Sequence, residues 1–482
     1  MEATQLTISH WVFLAVVFAI FVSIAFRKAV IIPSIVGTFL LGLLSPLGGE
    51  VGLDRLIFAV QVVFRSLLNA GVELFDIMLV IALMVAMLRS LQAQGADRIM
   101  IAPMRKLMVG PWTAFFILAA TMYTAAAFFW PTPSVALVGT VLIPVAVRVG
   151  LPAIGAAVAV NLSGHGMALS ADPVIQGATR LTAGAANLDP GQVLPYTILF
   201  SFIAGAIALT LACYTLRRDM RSGKIVADPG AAAAFASNGP TGEGEMAASD
   251  RYARFFAVAV PVILLSIVAL MIYLGLFDQQ NAIRGGDATA LLGGTAVVLL
   301  ILSSFAMHGH HAMDGIADYA REGFFFAIKI FAPIIPIAGF FLLGNPDHAV
   351  TVVGDGTPGF LFDVGSYIGT NLDGNIVLLG FGIMLIGMLA GMDGSGFSGL
   401  PLVGSLAGAL AVGAGVDAAA LAGLGQVVTI FTGGGTVVAW AFGACADAGI
   451  AGVPPAELVR RNFLPVITAL IAITIVAIFI MA

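Results

Sequence analysis

Charge is what this sequence has least of. Of its 482 residues only 10% are Asp, Glu, Lys or Arg, against roughly 25% in soluble domains. So little charge cannot cover a water-soluble surface, and a soluble fold is excluded. Cysteine is nearly absent too. Cys213 and Cys445 lie in apolar runs without metal-ligand spacing, so neither a disulfide nor a metal site is expected. No nucleophile–base arrangement and no P-loop is present, which gives no reason to expect an enzyme, a cofactor or ATP. The net charge of -5 is small and points to no nucleic-acid partner. No cleavable signal is evident either: the first apolar run, Trp11–Phe26, lacks a basic start.

What remains is apolar. Hydrophobic residues make up 60% of the chain, and the mean hydropathy is +1.05. Continuous runs of about 18–25 residues call for membrane helices, whereas barrel strands would alternate over about 10. The expected class is an all-α polytopic membrane protein, embedded in a lipid bilayer.

One stretch breaks the pattern. Asn161–Asp172, NLSGHGMALSAD, interrupts an apolar segment running from about 151 to 186. Small and polar residues stand where a membrane helix would carry Leu, Ile and Val, and Pro173 follows. We expect a broken helix over 152–187, its first half ending near Leu162. The second half would start with Asp172 as N-cap and Pro173 at N1. Irregular backbone at membrane depth survives where it is buried in protein or lines a wet cavity. The plainer alternative is a short loop joining two interfacial helices.

Read in order, the segments are about 10–27, 29–47, an interfacial helix at 56–70, and 73–92. A hairpin re-enters over 111–147, with its tip at 130–134, where Pro131 and Pro133 stop the helix. After the broken helix comes a segment at 192–216. A linker, 217–254, separates a first repeat (1–216) from a second (255–482). The second repeat reads 255–276, 288–307, a His-rich polar piece from His308 to Glu322, and 323–343. An acidic loop at 344–373 precedes a second hairpin at 376–412, a second broken helix at 417–446 and a last segment at 456–481. Gly150-Leu-Pro matches Gly415-Val-Asp, and Pro190-Gly-Gln-Val matches Pro455-Ala-Glu-Leu, both at an offset of 265. Lys and Arg favour cytoplasmic loops. That rule places the linker, Arg27-Lys28, Arg89 to Lys106, Arg321 and Arg460-Arg461 inside, and both termini outside. The halves then run in opposite senses: an inverted-topology repeat with about 10 transmembrane helices, two re-entrant hairpins and two broken helices.

The hairpin tips and helix breaks gather the polar residues. For substrate binding they offer Thr132, Ser134, Asn161, Ser163, Gly164 and His165 from the first half. The second half adds Ser395, Ser398, Gln426, Thr429, Thr432 and Thr436. Half-helix N-termini suit an anion, and exposed carbonyls suit Na⁺. The alternative is that small residues here merely permit tight helix packing. Three titratable groups, His165, Asp172 and Asp393, are candidates for coupling to an ion or proton. Each has a plain structural counterpart: a core histidine, an N-cap, a turn residue. Gly394-Ser-Gly-Phe-Ser-Gly399 fits a dinucleotide fingerprint but has no βαβ context. His308, His310 and His311 could bind a metal, but they read as a solvated turn, and no metal site is assigned.

Two hairpins, two interrupted helices and an inverted repeat resemble the ion transporter superfamily. That group includes divalent-anion/sodium symporters, citrate–metal symporters, gluconate permeases and arsenite or Na⁺/H⁺ carriers. PSVALVGTVLIPVAVRVGLP (133–152) and GMDGSGFSGLPLVG (391–404) are similar to passages of citrate–metal symporters. The Ser-Asn-Thr tip motif of the divalent-anion symporters is absent: the tips read Pro131-Thr-Pro-Ser134 and Asp393-Gly-Ser-Gly396. The resemblance implies an elevator mechanism and a homodimer. The expected function is a secondary active transporter of the bacterial inner membrane, carrying a small organic anion such as a carboxylate with Na⁺ or H⁺. The alternatives are a cation/H⁺ antiporter, using Asp172 and Asp393, and an inorganic oxyanion carrier.

Overall fold

In a bilayer the backbone must satisfy its own polar groups, and among the described residues every regular element is helical. The computed structural model describes residues 6–26, 28, 30–225, 251–277, 283, 285–371, 375–392 and 394–482. Among these, nine helices are long and apolar enough to cross a membrane, ten if a bent pair counts as one span. The expected all-α polytopic fold is the one observed.

The first half runs α1 (Ile8–Ala25), α2 (Ile31–Leu44), α3 (Leu53–Gln94), α4 (Ala96–Arg105), α5 (Pro111–Phe129), α6 (Pro131–Arg148), α7 (Ala153–Asn161), α8 (Gly177–Ala185) and α9 (Pro190–Arg221). The second runs α10 (Arg251–Phe277), α11 (Gly285–His308), α12 (Ala312–Phe331), α13 (Ile334–Leu342), α14 (Pro346–Val353) and α15 (Phe360–Asn371). It ends with α16 (Ile376–Gly391), α17 (Leu400–Ala414), α18 (Ala418–Phe431), α19 (Phe442–Ala451) and α20 (Pro455–Met481). A π-helical segment, Leu162–Ala168, and a last turn, Leu169–Ala171, continue α7; a second π segment, Thr432–Thr436, continues α18.

The offset of 265 recurs in the helix starts: 111 and 376, 153 and 418, 177 and 442, 190 and 455. Local chemistry sets two of them. Asp189 caps α9 by accepting from the Gly191 amide at 2.7 Å, and Gln192 closes a capping box. Asp417 caps α18, accepting from the Ala419 amide at 2.8 Å. Its other oxygen accepts from the Tyr196 hydroxyl of α9 at 2.5 Å.

Several boundaries differ from expectation. The interfacial helix at 56–70 and the span at 73–92 are one 42-residue helix, α3. It contains no proline to divide it, and it ends at Gly95 (φ 71) with a 78° bend into α4. The His-rich piece is mostly helix, since α12 begins at Ala312. The acidic loop at 344–373 contains α14 and α15; residues 372–374 lie outside the description. The linker is shorter than drawn: α9 continues to Arg221 and α10 begins at Arg251, while 226–250 lie outside the described residues.

The first hairpin reverses at one residue. Trp130 takes φ 71, and Pro131 to Ser134 form the first turn of α6 rather than a tip loop. Proline is tolerated there because a first-turn N–H has no helical partner to lose. The second hairpin reverses between Gly391 and Leu400, with Gly394 and Gly396 at φ 87 and 75.

The breaks also differ in kind. The first helix does not end near Leu162. It widens to π geometry and stays helical to Ala171, where Asp172 (φ 39) stops it. Asp172 is therefore not an N-cap, and Pro173 does not start the next half. The Asp172 side chain reaches forward instead, accepting from the amides of Gln176 (3.0 Å) and Ala178 (2.7 Å) at the start of α8. The second broken span extends beyond 446, to Ala451.

Candidate functional site

The two widened segments cross in the interior. π geometry gives up the regular i−4 bonding of the helix and recurs at functional sites. The crossing is possible because glycine lines it. A Cβ on Gly434 would collide with the His165 carbonyl, and one on Gly443 would stand 2.6 Å from the His165 ring. The hairpins close over the same place. Trp130 packs on Phe397 with ring centroids 5.2 Å apart. A Cβ on Gly396 would lie 3.0 Å from the Gly434 amide. Tips and breaks thus meet around His165 and Gly434.

A buried polar chain crosses this meeting point. Asn462 of α20 donates to Asn161 Oδ1 at 2.8 Å, and Asn161 donates to Asp447 Oδ2 at 2.8 Å. His165 Nδ1 faces the same Asp447 oxygen at 2.9 Å. When that oxygen accepts from Nδ1, Nε2 is left to accept from the Thr132 hydroxyl, 3.4 Å away. Asp447, Asn161 and Asn462 are fully buried, and His165 is 4% exposed. Asp447 Oδ1, Asn462 Oδ1, Ser134 Oγ, Gln426 Oε1 and Thr429 Oγ1 are buried with no hydrogen-bond partner among the described residues. Each such oxygen costs about 1–3 kcal/mol unless something pairs with it. All five can accept, which suits a cation, a proton donor or water.

Of the expected site residues, the structure brings Thr132, Asn161 and His165 together in one network. Ser134, Gln426 and Thr429 contribute unpaired oxygens; Gln426 also donates to the Ser170 carbonyl at 3.0 Å and to Thr179 at 3.1 Å. Ser395 and Ser398 bond each other at 3.0 Å and shape the second tip. The remaining residues do other work. Ser163 and Thr432 donate to carbonyls four residues back, and Thr436 donates to the Phe431 carbonyl. These hydroxyls satisfy backbone loosened by the π turns rather than facing a ligand. Gly164 packs on Met122, and Asp172 is held by backbone amides. Asp393 lies outside the described residues.

Sequence reasoning missed Asp447 and Asn462. The signal is present: an aspartate inside AFGACADAGIAG, an apolar run that continues five residues past 446, to Ala451. A second missed feature is the ion pair between Arg180 of α8 and Asp76 of α3. It ties the half-helix beyond the first break to the longest helix of the fold.

No family model matches the chain. The uncharacterized membrane protein YhfA of Bacillus subtilis (strain 168) is 34% identical over 476 residues, covering 97% of each chain. A solved structure of Neisseria gonorrhoeae MtrF, reported as illuminating a class of antimetabolite efflux pumps, matches with a TM-score of 0.56. The alignment covers 98% of this chain and 95% of that one at 13% identity, a likeness of fold. The protein is thus a polytopic membrane protein with a transporter's fold, and by its identity along nearly the whole length it belongs to the family of the membrane protein YhfA.

Proposed function

We propose that the chain is a secondary active transporter of the ion transporter superfamily type, moving a small organic anion across the bacterial inner membrane with Na⁺ or H⁺. One observation carries this reading: Asp447, a carboxylate buried inside the membrane fold, is joined through Asn161 and His165 to the break in the other half and keeps one oxygen unpaired. A buried intramembrane carboxylate is costly and marks ion or proton pathways by default. The start of α19 lies against His165 at the same point, and a half-helix N-terminus favours an anionic group. The MtrF likeness supports transport as the class, and the reading does not require that protein's substrate.

The halves are proposed to form an inverted repeat divided near 217–254, with that linker cytoplasmic and both termini outside. The hairpins and widened helices would travel together against α1–α3 and α10–α13 in an elevator motion, within a homodimer. A second reading is favoured by the same unpaired oxygen: a cation/H⁺ antiporter in which Asp447, rather than Asp172, binds cation and proton in turn. Asp172 is less suited because backbone amides already occupy both its oxygens.

Thermal stability of the purified protein against carboxylates, sugar acids and oxyanions, each with and without Na⁺ and at two pH values, decides between these readings. A ligand stabilises the state it binds. Symport requires a shift with one organic anion that grows with Na⁺ or acid. Shifts that follow only cation and pH select the antiporter. No shift under any condition overturns both.

A further inference from the structure

Behind the first hairpin lies a cavity that the transport reading does not use. Its volume is about 300 Å³. It is walled by Ile117, Ala125 and Phe128 of α5, Ile101 and Met104 of α4, and Leu265 of α10. Two threonines also face it, but Thr121 and Thr124 bond carbonyls of their own helix at 2.7 and 3.0 Å. Their hydroxyls are satisfied, so the walls are apolar. Along α5 the lining runs from Ile117 to Phe129, roughly 18 Å at 1.5 Å per residue. That is a long, narrow, greasy slot inside a bilayer-embedded fold.

Arginines share the helix stripes that wall the slot. On α4, Arg98 and Arg105 flank Ile101 at spacings of three and four, placing all three on one helical stripe. On α10, Arg254 precedes Pro261 and Leu265 by seven and eleven residues, again one stripe, and both of those residues line the slot. All three arginines are exposed. Among the described residues none has a carboxylate within ion-pair distance. α4 follows the 78° bend from α3, and the chain passes from its end directly into the start of α5. The three cations therefore stand on two helices that wall the slot, on the same stripes as residues that line it.

We propose that this slot holds an acyl chain of an anionic phospholipid, whose phosphate is bound by Arg98, Arg105 and Arg254. The apolar walls select a hydrocarbon chain. The exposed arginines select a negative headgroup over a zwitterionic one, by about fivefold per arginine.

Native mass spectrometry of the detergent-purified protein, exchanged against equal phosphatidylglycerol and phosphatidylcholine, tests this. The wild type should retain phosphatidylglycerol in preference. Arg98→Gln with Arg254→Gln should bring the two lipids toward parity. Ala125→Phe, which fills the slot and leaves the charges alone, should lower retention of both lipids several-fold at unchanged elution volume. Arg218→Gln with Arg221→Gln, at the basic end of α9, should change neither result. Equal retention of both lipids by the wild type overturns the proposal. So does a failure of either slot variant to act, or loss of the lipid in the α9 variant. If Ala125→Phe instead splits an oligomer without releasing lipid, the slot is a protein interface and the proposal is wrong.

Discussion

Asn161 and Gln426 stand 265 residues apart, at the same position of the two widened helices, and each reaches into the other half of the chain. Asn161 donates to Asp447 of α19; Gln426 donates to Thr179 of α8. The two amides differ in what depends on them. Asn161→Leu strips a donor from a buried carboxylate and should cost about 3 kcal/mol. Gln426→Leu abandons a hydroxyl and a carbonyl and should cost about 1–2 kcal/mol. Thermal unfolding of the two variants in one detergent gives the order, and the reverse order would contradict the weight placed on the Asn161–Asp447 bond.

Asp447→Asn keeps the shape of the side chain and removes its charge. Under the proposed function, whichever ion or proton dependence the wild type shows in ligand-induced stabilisation should weaken at least about tenfold, which is about 1.4 kcal/mol. The variant should still be a folded protein of normal elution volume. Unaltered ion dependence would remove Asp447 from the coupling site.

Glycine at the crossing is a matter of contact distance. Gly434→Ala should destabilise by about 1–3 kcal/mol, the usual cost of overpacking, because the new methyl meets the His165 carbonyl. Gly184→Ala in α8 is the control. Nothing lies within 4 Å of its new methyl, so the helix preference for alanine should make it neutral or stabilising by up to about 1 kcal/mol. Expression and melting temperature in parallel check the contrast.

The Arg180–Asp76 pair predicts a double-mutant pattern. Arg180→Met removes the cation from a half-exposed carboxylate and should cost about 1 kcal/mol. Adding Asp76→Leu should recover most of that loss, since a matched apolar pair can replace an ion pair at little cost. Additive losses in the double variant would show that the two side chains do not act as a pair.

His348 gives the fold a pH response outside the spanning helices. Its Nδ1 lies 3.1 Å from the Asn69 amide. Burial lowers its pKa from the ordinary 6.5, against the raising influence of Glu73 and Asp347. A histidine depressed in the folded state binds its proton more readily when unfolded. Its contribution to stability is therefore intact above about pH 6.5 and falls as pH drops below it. The melting temperature of His348→Gln should fall less between pH 7 and pH 5 than that of the wild type.

How far the sequence carried the structure can be judged from particular residues. The offset of 265 came from proline and glycine punctuation, and the helix starts keep it because Pro190 and Pro455 sit in first turns, where proline is welcome. His165, Asn161 and Thr132 were legible because polar residues inside an apolar run are conspicuous. Asp447 lies just past the expected boundary at 446, in a helix that runs on to Ala451. The hydroxyls of Ser163, Thr432 and Thr436 have the chemistry of ligands, yet they bond their own backbone, a choice that composition does not reveal. The π segments were also invisible: Gly164 and Gly166 suggested a broken chain, while the backbone widened and continued.

The two reversals over the site constrain substitution differently. The first turns on Trp130, with Pro131 and Pro133 in the turn that follows. The second turns between Gly391 and Leu400, with Gly394 and Gly396 at φ 87 and 75, angles that glycine adopts without steric cost. A Cβ on either would also lie 3.0 Å from backbone beside the second break, at Ala441 and at the Gly434 amide. Any side chain placed there is therefore opposed twice, by backbone angle and by space.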